Sequence, residues 1–369
     1  MKKIAVLGCG LIGSVIARDL ARDPDLEVEV FDRSERSLAK LEGAARISRR
    51  TADLSTRAGV AAAVAAADVV VGAVPGFLGR RMLETVLDSG KSIADISFAP
   101  EDPLELDEKA RQSGAVAIVD CGVSPGLSNF AAGRAASKLD EIETLTIYVG
   151  GLPAERRWPW EYGIVFSATD VIEEYTRPAR IRQDGRIVVR PALSGTELVN
   201  VPPIGTLEGF LTDGLRTLLS TVPARNMMEK TLRYPGHAER MRALSETGFF
   251  REEPIEVDGV AVSPRRLSET LLFRAWKMEP GAEEFTVLRV VAEGRRGRAG
   301  ARLIFDLFDR TDAAAGITSM ARTTGFPCAV VARLLARGEL PGAGVRALEH
   351  LGRDGWIHDR IVQELSTRK

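Results

Sequence analysis

Near its amino end the chain reads KIAVLGCGLIGSVIARDL: an apolar run, then glycines at 8, 10 and 13, then apolar residues at helical spacing. No other feature restricts the fold as much. Residues 3–7 have the length of a buried strand, and SVIARDL places its apolar residues on one side of a helix. Between them lies GxGxxG, in which Gly8 permits a tight turn. Gly10 lets the backbone approach a pyrophosphate, and Gly13 lets the helix pack close to the strand. Some twenty residues on, a second expected strand, LEVEVFD (26–32), ends in Asp32.

Strand, glycine loop, helix and distant acid in this register predict a dinucleotide site, with phosphates received at the helix N-terminus by Gly8, Gly10, Leu11, Ile12 and Gly13. Asp32 is expected to accept hydrogen bonds from ribose hydroxyls and to repel a 2'-phosphate, which favours NAD over NADP. Arg33 and Arg36 stand near enough to soften that choice. Asp53 lies beside the adenine or is an exposed loop acid. Val74, Pro75 and Gly76 form the turn that ends the strand expected within 68–75 and are placed beside the nicotinamide. Cys9 reads as a small filler residue, since no base or cation that would activate a thiol is evident.

The alternation continues: SERSLAKLE is a helix opened by Ser34, and DVVVGAVP, SIADIS and AVAIVDCG are further strands. This predicts an α/β fold, a Rossmann-type doubly wound parallel sheet over residues 1–122. Beyond GVSPGLSN the texture changes. ETLTIYVGGLP, EYGIVFS, ARIRQDGRIVVR and FTVLRVVAEGRRGRAGARLIFDLFDR read as longer strands, the last pair joined by a Gly/Arg turn, with helices expected at 212–222 and 237–247. An α+β domain with a mainly antiparallel sheet is expected over 123–316. From Ile317 a long apolar helix begins, and 317–369 is expected to pack back on the first domain.

At 369 residues the chain is long enough for two domains, and 45% apolar with 27% charged residues is the profile of a globular protein. A net charge of -1 gives no pull toward nucleic acid or anionic lipid, so a small-molecule substrate is expected. Three scattered cysteines and three histidines without ligand spacing point to neither a disulfide scaffold nor a metal site. The amino end, with glycines and Arg18 and Asp19 interrupting its apolar run, is read as a mature cytoplasmic N-terminus. The Ala/Val run 60–74 contains Asp68 and is too short to span a bilayer.

The stretches GAVPGFLG, DISFAPEDPLEL, DCGVSPGLSN, YVGGLP, IEEYTRPARI and TLRYPGH, with the helix TTGFPCAVVARLLARG, resemble the saccharopine dehydrogenase-like superfamily, most of all its lysine 6-dehydrogenase branch. The resemblance covers nearly the whole chain. It implies NAD-linked oxidative deamination of the lysine side-chain amine, giving allysine, which cyclises to a piperideine carboxylate, with ammonia and NADH. It also implies a homodimer, which the exposed-strand texture of the second domain favours. Saccharopine reductases typically carry an acidic DPG followed by Asp-His, where this chain has Ser124-Pro125-Gly126 and Asn129. A reductase of the saccharopine or carboxynorspermidine type, joining an aldehyde and an amine, is the alternative enzyme. A nicotinamide-binding regulator without turnover is the alternative outside catalysis.

Oxidising a primary amine requires its neutral form, because only the lone pair can support the developing iminium. A lysine amine titrates at about 10.4, so the site must desolvate it or supply a base. Asp120, closing a first-domain strand, is one candidate, or else a turn cap. His237 and Tyr175 are candidates from the second domain; His237 equally suits the cap of the helix that follows it. Ser97 and Phe98 border the nicotinamide or the substrate, or are plain loop residues. In the cluster Glu174, Tyr175, Arg177 and Arg180, Arg177 is the preferred grip for a substrate carboxylate and Arg233 the second, unless each pairs with a nearby acid. His350 and His358 are expected at the surface.

Overall fold

The computed structural model describes residues 1–279 and 281–368. It divides into two compact units: Met1–Asp140 with Arg216–Val222 and Ala321–Lys369, and Glu141–Leu215 with Pro223–Met320. Among the described residues, no helix is long and apolar enough to cross a membrane.

The first unit opens as β1 (Lys2–Leu7), α1 (Gly13–Leu20), β2 (Leu26–Asp32), α2 (Glu35–Ala39), β3 (Ile47–Thr51), α3 (Arg57–Val64) and β4 (Val69–Gly72). It continues as α4 (Gly76–Asp88), β5 (Ser92–Asp95), α5 (Asp107–Ser113), β6 (Val116–Val119) and α6 (Leu127–Lys138). The strands pair in parallel in the order β3-β2-β1-β4-β5-β6, the doubly wound arrangement, and a late strand adds beside β6. Side chains alternate across such a sheet. Ile4 and Val6 of β1 therefore join one apolar layer with Ile16 of α1, while Ala5 and Leu7 join the opposite layer with Val60 of α3 and Met82 of α4. Ser34 caps α2, its side chain accepting from the Ser37 N–H at 3.2 Å.

The second unit contains β7 (Glu141–Pro153), α7 (Ala168–Thr176), β8 (Ala179–Gln183), β9 (Arg186–Arg190), β10 (Glu197–Val201) and β11 (Gly205–Leu211). The chain then re-enters the first unit for α8 (Leu218–Thr221) and returns as β12 (Ala224–Arg233), α9 (His237–Thr247), β13 (Ile255–Val257), β14 (Val260–Val262), α10 (Pro264–Ala275), β15 (Glu284–Arg296) and β16 (Ala299–Arg310). The main sheet runs β10-β11-β12-β7-β15-β16, with the β8–β9 hairpin joined to β12. All its pairings are antiparallel except β12 with β7. A helical layer is built around Tyr175, Phe210, Met241 and Trp276.

Three departures from the sequence reading have clear causes. EYGIVFS forms no strand: the Ile164 N–H bonds the Trp276 carbonyl at 2.8 Å, and Tyr162 packs edge-on to Trp276, so this segment covers the aromatic cluster instead of pairing in a sheet. The helix expected at 212–222 shrinks to α8, because Arg216 takes a positive φ of 47°. The first unit runs to Asp140, not 122.

The chain closes with α11 (Ser319–Ala336), β17 (Gly344–Ala347), α12 (Leu348–Arg353) and α13 (Gly355–Ser366). β17 is the late strand beside β6, paired in parallel with it. α6 belongs to the first unit because it packs on α12 backbone to backbone. A Cβ on Gly133 would lie 2.0 Å from the Glu349 carbonyl oxygen, and one on Gly352 2.1 Å from that of Phe130. α11 brings Cys328, Val330, Val331 and Leu334 into the layer that holds Ile4 and Val6.

Candidate active site

At the C-terminal edge of the parallel sheet, β1 runs into the glycine loop. Gly8 has φ 110°, and a Cβ there would sit 2.3 Å from the Ala73 oxygen; one on Gly13 would lie 2.1 Å from the Gly8 oxygen. A Cβ on Gly10 would meet nothing within 4 Å, so the loop is closed toward the sheet and open on the side where a phosphate would lie. Leu11 is exposed and Ile12 half-buried, capping α1. Asp32 accepts from the Cys9 N–H at 2.7 Å with one carboxylate oxygen and from the Ser34 N–H at 2.8 Å with the other. These bonds fix an acid at the tip of β2, where a dinucleotide ribose is held in such sheets. The residues present thus fit a dinucleotide.

The remaining expected cofactor residues divide. Arg33 is exposed. Asp53 is also exposed and turns inward on its own loop, accepting from the Ser55 N–H at 3.0 Å and hydroxyl at 2.6 Å, bonds that lower its pKa. Val74 is buried in the layer beneath α4, Pro75 caps that helix, and Gly76 begins it. Cys9 is fully buried, with its thiol pushed up to about 11, first by burial and then by Asp32; a filler role fits.

One step along the same edge, Asp95 ends β5 and Asp120 follows β6. Asp95 accepts from the Ser97 N–H at 3.1 Å and hydroxyl at 2.6 Å. Burial raises its pKa to about 7, against those two bonds. Asp120 stands at φ 55° and receives the Arg216 Nε at 3.0 Å on each carboxylate oxygen. Burial pushes its carboxyl upward while the Arg216 charge pulls it down. Arg216 also donates from Nη1 to the Ala99 carbonyl, and its guanidinium lies 5.2 Å from the centre of the Phe98 ring. The segment is anchored by Asn129, whose Nδ2 donates to Thr217 Oγ1 at 3.3 Å and to Glu349 Oε2 at 3.2 Å, and by Thr221, whose hydroxyl donates to Glu349 at 2.6 Å.

The second unit brings Tyr175, His237 and Arg233 together, but not as open groups. His237 is 0% exposed. Its Nδ1 lies 2.9 Å from the Trp160 carbonyl, which can only accept, so Nδ1 carries the proton and Nε2 accepts from the Tyr175 hydroxyl at 2.9 Å. Burial, then the Arg233 charge, lowers the imidazole to about 3, and burial raises the Tyr175 phenol to about 12. Both groups are therefore neutral at pH 7. An imidazole with both nitrogens engaged and a pKa near 3 positions Tyr175; it is poorly suited to the proton-accepting role expected of it.

Arg233 is buried, bonded to Glu174 and the Leu232 carbonyl, with its guanidinium 4.6 Å from the centre of the Tyr162 ring. Burial is the largest single influence and works against its charge, but Glu174 together with Tyr175 and Tyr162 overcomes it and holds Arg233 charged. Arg177 ends α7 and lies 3.4 Å from Glu173, while Arg180 is bidentate on Asp213, with Nη2 at 2.8 Å and Nε at 2.9 Å. The two preferred carboxylate grips are thus both paired with acids. His358 is half-buried, its ring stacked on Phe130 at 4.9 Å, and His350 bonds the Ala347 backbone.

Asp95, Arg216 and Asn129 are absent from the expected site residues, although Asn129 stands in the motif DCGVSPGLSN. Asp95 had a signal: an acid within the otherwise apolar strand SIADIS must find buried partners. Arg216 had none, because its pairing with Asp120 joins residues 96 positions apart.

A model described as the saccharopine dehydrogenase NADP binding domain matches residues 4–118, and one described as the saccharopine dehydrogenase C-terminal domain matches 122–369. A saccharopine dehydrogenase [NADP(+), L-glutamate-forming] of Pyricularia oryzae is 25% identical over 68% of this chain; the match spans 59% of that protein's length. A carboxyaminopropylagmatine dehydrogenase of Synechocystis is 22% identical over 97% of this chain and 94% of its own. The solved apo saccharopine dehydrogenase (L-Glu forming) of Saccharomyces cerevisiae superposes with a TM-score of 0.81 at 19% identity, over 100% of this chain and 98% of that one, which establishes a common fold. With both parts of the chain matched, and a nucleotide loop built as the fold requires, the chain belongs to the saccharopine dehydrogenase family.

Proposed function

We propose that this protein is a nicotinamide-dependent dehydrogenase acting on an amino-acid amine, and that its reaction is oxidative deamination of the lysine side chain with NAD as acceptor. The observation that carries the reading is the glycine loop closed by Asp32, in a chain whose family relatives are named as dehydrogenases of saccharopine and carboxyaminopropylagmatine. Both are amines built on amino-acid or polyamine skeletons. NAD is favoured because Asp32 would repel a 2'-phosphate, although the fungal relative is named for NADP.

A bound nicotinamide would supply the hydride acceptor for the carbon bearing the amine. The chain supplies the rest. The α1 loop would hold the phosphates through backbone N–H groups, and Asp32 would orient the ribose. The lysine ammonium must lose a proton first, and Ser97, donating to an Asp95 that titrates at about 7, is the route in the first unit suited to exchange near neutrality. Water then adds to the iminium carbon and ammonia departs. In sum, lysine ammonium, NAD⁺ and water yield aldehyde, ammonium, NADH and one proton.

The test is to offer the purified protein L-lysine with NAD or NADP and to follow reduced cofactor and ammonia together. Lysine-dependent NADH with equal ammonia, at least about tenfold more efficient with NAD than NADP, is expected, a difference of about 1.4 kcal/mol. The relatives' names favour a second reading, an enzyme acting on a secondary amine. Saccharopine oxidation, or consumption of reduced cofactor only when an aldehyde and an amino acid are supplied together, would replace the lysine assignment with that one.

A further inference from the structure

Two of the three cysteines meet inside the first unit, although they stand far apart in the sequence. Cys121 follows β6 directly after Asp120, and Cys328 lies in α11 just behind Pro327. Both are free, both are 0% exposed, and both belong to the apolar layer that holds Ile4 and Val6. The Cys121 thiol donates to the Ile118 carbonyl at 3.3 Å, and the Cys328 thiol to the Ala94 carbonyl at 3.7 Å. Ala94 and Ile118 are register partners in β5 and β6, and paired strands run about 4.8 Å apart. The two sulfurs therefore rest on one small area of the sheet. α11 also comes close to the backbone there: a Cβ on Gly122 would lie 3.3 Å from Thr324 Cγ2.

Nothing in the proposed reaction uses these sulfurs. A free cysteine packs as a small hydrophobe, and only its chemistry sets it apart from alanine or valine in such a layer. Burial pushes the Cys121 thiol well above its ordinary range, and the Cys328 sulfur beside it adds to the rise. Cys121 thus rests as a protonated thiol, out of reach of bulky disulfides. A peroxide is small and uncharged. The sulfenic acid it forms on one sulfur has the second thiol as its immediate neighbour, so condensation to a disulfide competes with further oxidation.

We propose that Cys121 and Cys328 are a modification site, at which a peroxide joins the two thiols in a disulfide that ties α11 to the end of β6. In the first step the O–O bond breaks, one oxygen passes to a sulfur as its sulfenic acid, and water leaves. In the second the other thiol attacks that sulfur, the S–S bond forms, and the sulfenic oxygen leaves with the thiol proton as a second water. Two thiols and one hydrogen peroxide give one disulfide and two waters; the sulfurs lose two electrons and the peroxide gains them.

The link acts on two neighbours. Cys121 adjoins Asp120, and its N–H donates to the Asp95 carbonyl at 2.9 Å. Gly325, one turn before Cys328, approaches α1: a Cβ there would lie 3.3 Å from Ile16 Cγ1 and 3.7 Å from the oxygen of Ile12, which caps that helix. Drawing Cys328 toward Cys121 shifts the contact of α11 with the glycine loop, so the disulfide weakens NADH binding and its reduction restores it. This concerns the first unit alone and stands whether or not lysine is the substrate.

The experiment exposes the full chain to hydrogen peroxide, removes the excess with catalase, and reads intact mass, a peptide map and the fluorescence of bound NADH, before and after dithiothreitol. Wild type should lose the mass of two hydrogen atoms and yield a peptide joining Cys121 to Cys328, with Cys9 still free. Its Kd for NADH should rise by about fivefold and return on reduction. Cys328→Ala and Cys121→Ala should form no such link and keep their NADH affinity under peroxide. Three free thiols in wild type, at a dose that has oxidised the exposed Met1, overturn the proposal. Sulfinic acid on either cysteine in place of the link does the same. A link that leaves NADH affinity within about twofold of the reduced protein overturns the coupling to the glycine loop. Should the reduced protein bind no NADH, the nucleotide reading fails, while mass and map still decide the disulfide.

Discussion

A single buried imidazole carries a measurable consequence for pH. His237 is held neutral between the Trp160 carbonyl and the Tyr175 hydroxyl, with its folded pKa near 3 against an ordinary 6.5. Between those values the unfolded chain binds a proton that the folded chain excludes, so stability rises with pH through the window. The contribution is complete above about pH 6.5 and is lost as pH falls toward 3, on the order of a few kcal/mol. Asp95, Glu229 and Glu284, raised to about 7 by burial, act with the opposite sign because they hold protons in the folded state. The His237 part is therefore read as a difference. Melting temperatures of wild type and His237→Gln should converge as pH is lowered from 7 to 4, and parallel curves would remove the imidazole from the acid response.

Helix crossings make their own demand. α6 and α12 meet where Gly133 faces the Glu349 carbonyl and Gly352 faces the Phe130 carbonyl, with no room for a side-chain carbon. Gly133→Val must therefore push the two helices apart, and α6 also carries Asn129, which anchors the Arg216 segment. We expect a loss of about 3 kcal/mol or more, seen as a lower Tm. Gly300→Ala on β16, where a Cβ meets nothing within 4 Å, should leave Tm almost unchanged. Equal effects of the two substitutions would refute the close crossing.

For the molecule as a whole, the chain's two returns matter more than its length. The first unit is assembled from three stretches, the last of which supplies β17 to the sheet and α11 to one of its faces. Removing Ala321–Lys369 would expose Ile4, Val6, Ile16 and Val30 on that face. Full burial of each such side chain contributes about 1.5–3 kcal/mol, comparable with a large part of a domain's net stability. The truncated chain should therefore lose NADH binding and be digested rapidly by protease within residues 1–140, although the glycine loop is intact in sequence. Retained NADH binding would show that the carboxyl stretch is dispensable to the first unit.

What the amino-acid sequence determined by itself was local. GxGxxG, the buried strand before it, the helix after it and Asp32 at the tip of β2 are legible because their meaning depends on neighbours a few residues away. So is α9, which spans His237–Thr247 where helical spacing placed it. The tertiary structure alone decided that EYGIVFS would wrap an aromatic cluster, that His237 would be sealed instead of open, and that Arg216 would meet Asp120 across 96 positions. A pattern of apolar residues specifies that a segment is buried but not against what, and a charged side chain acquires its role only from the partner that burial forces upon it.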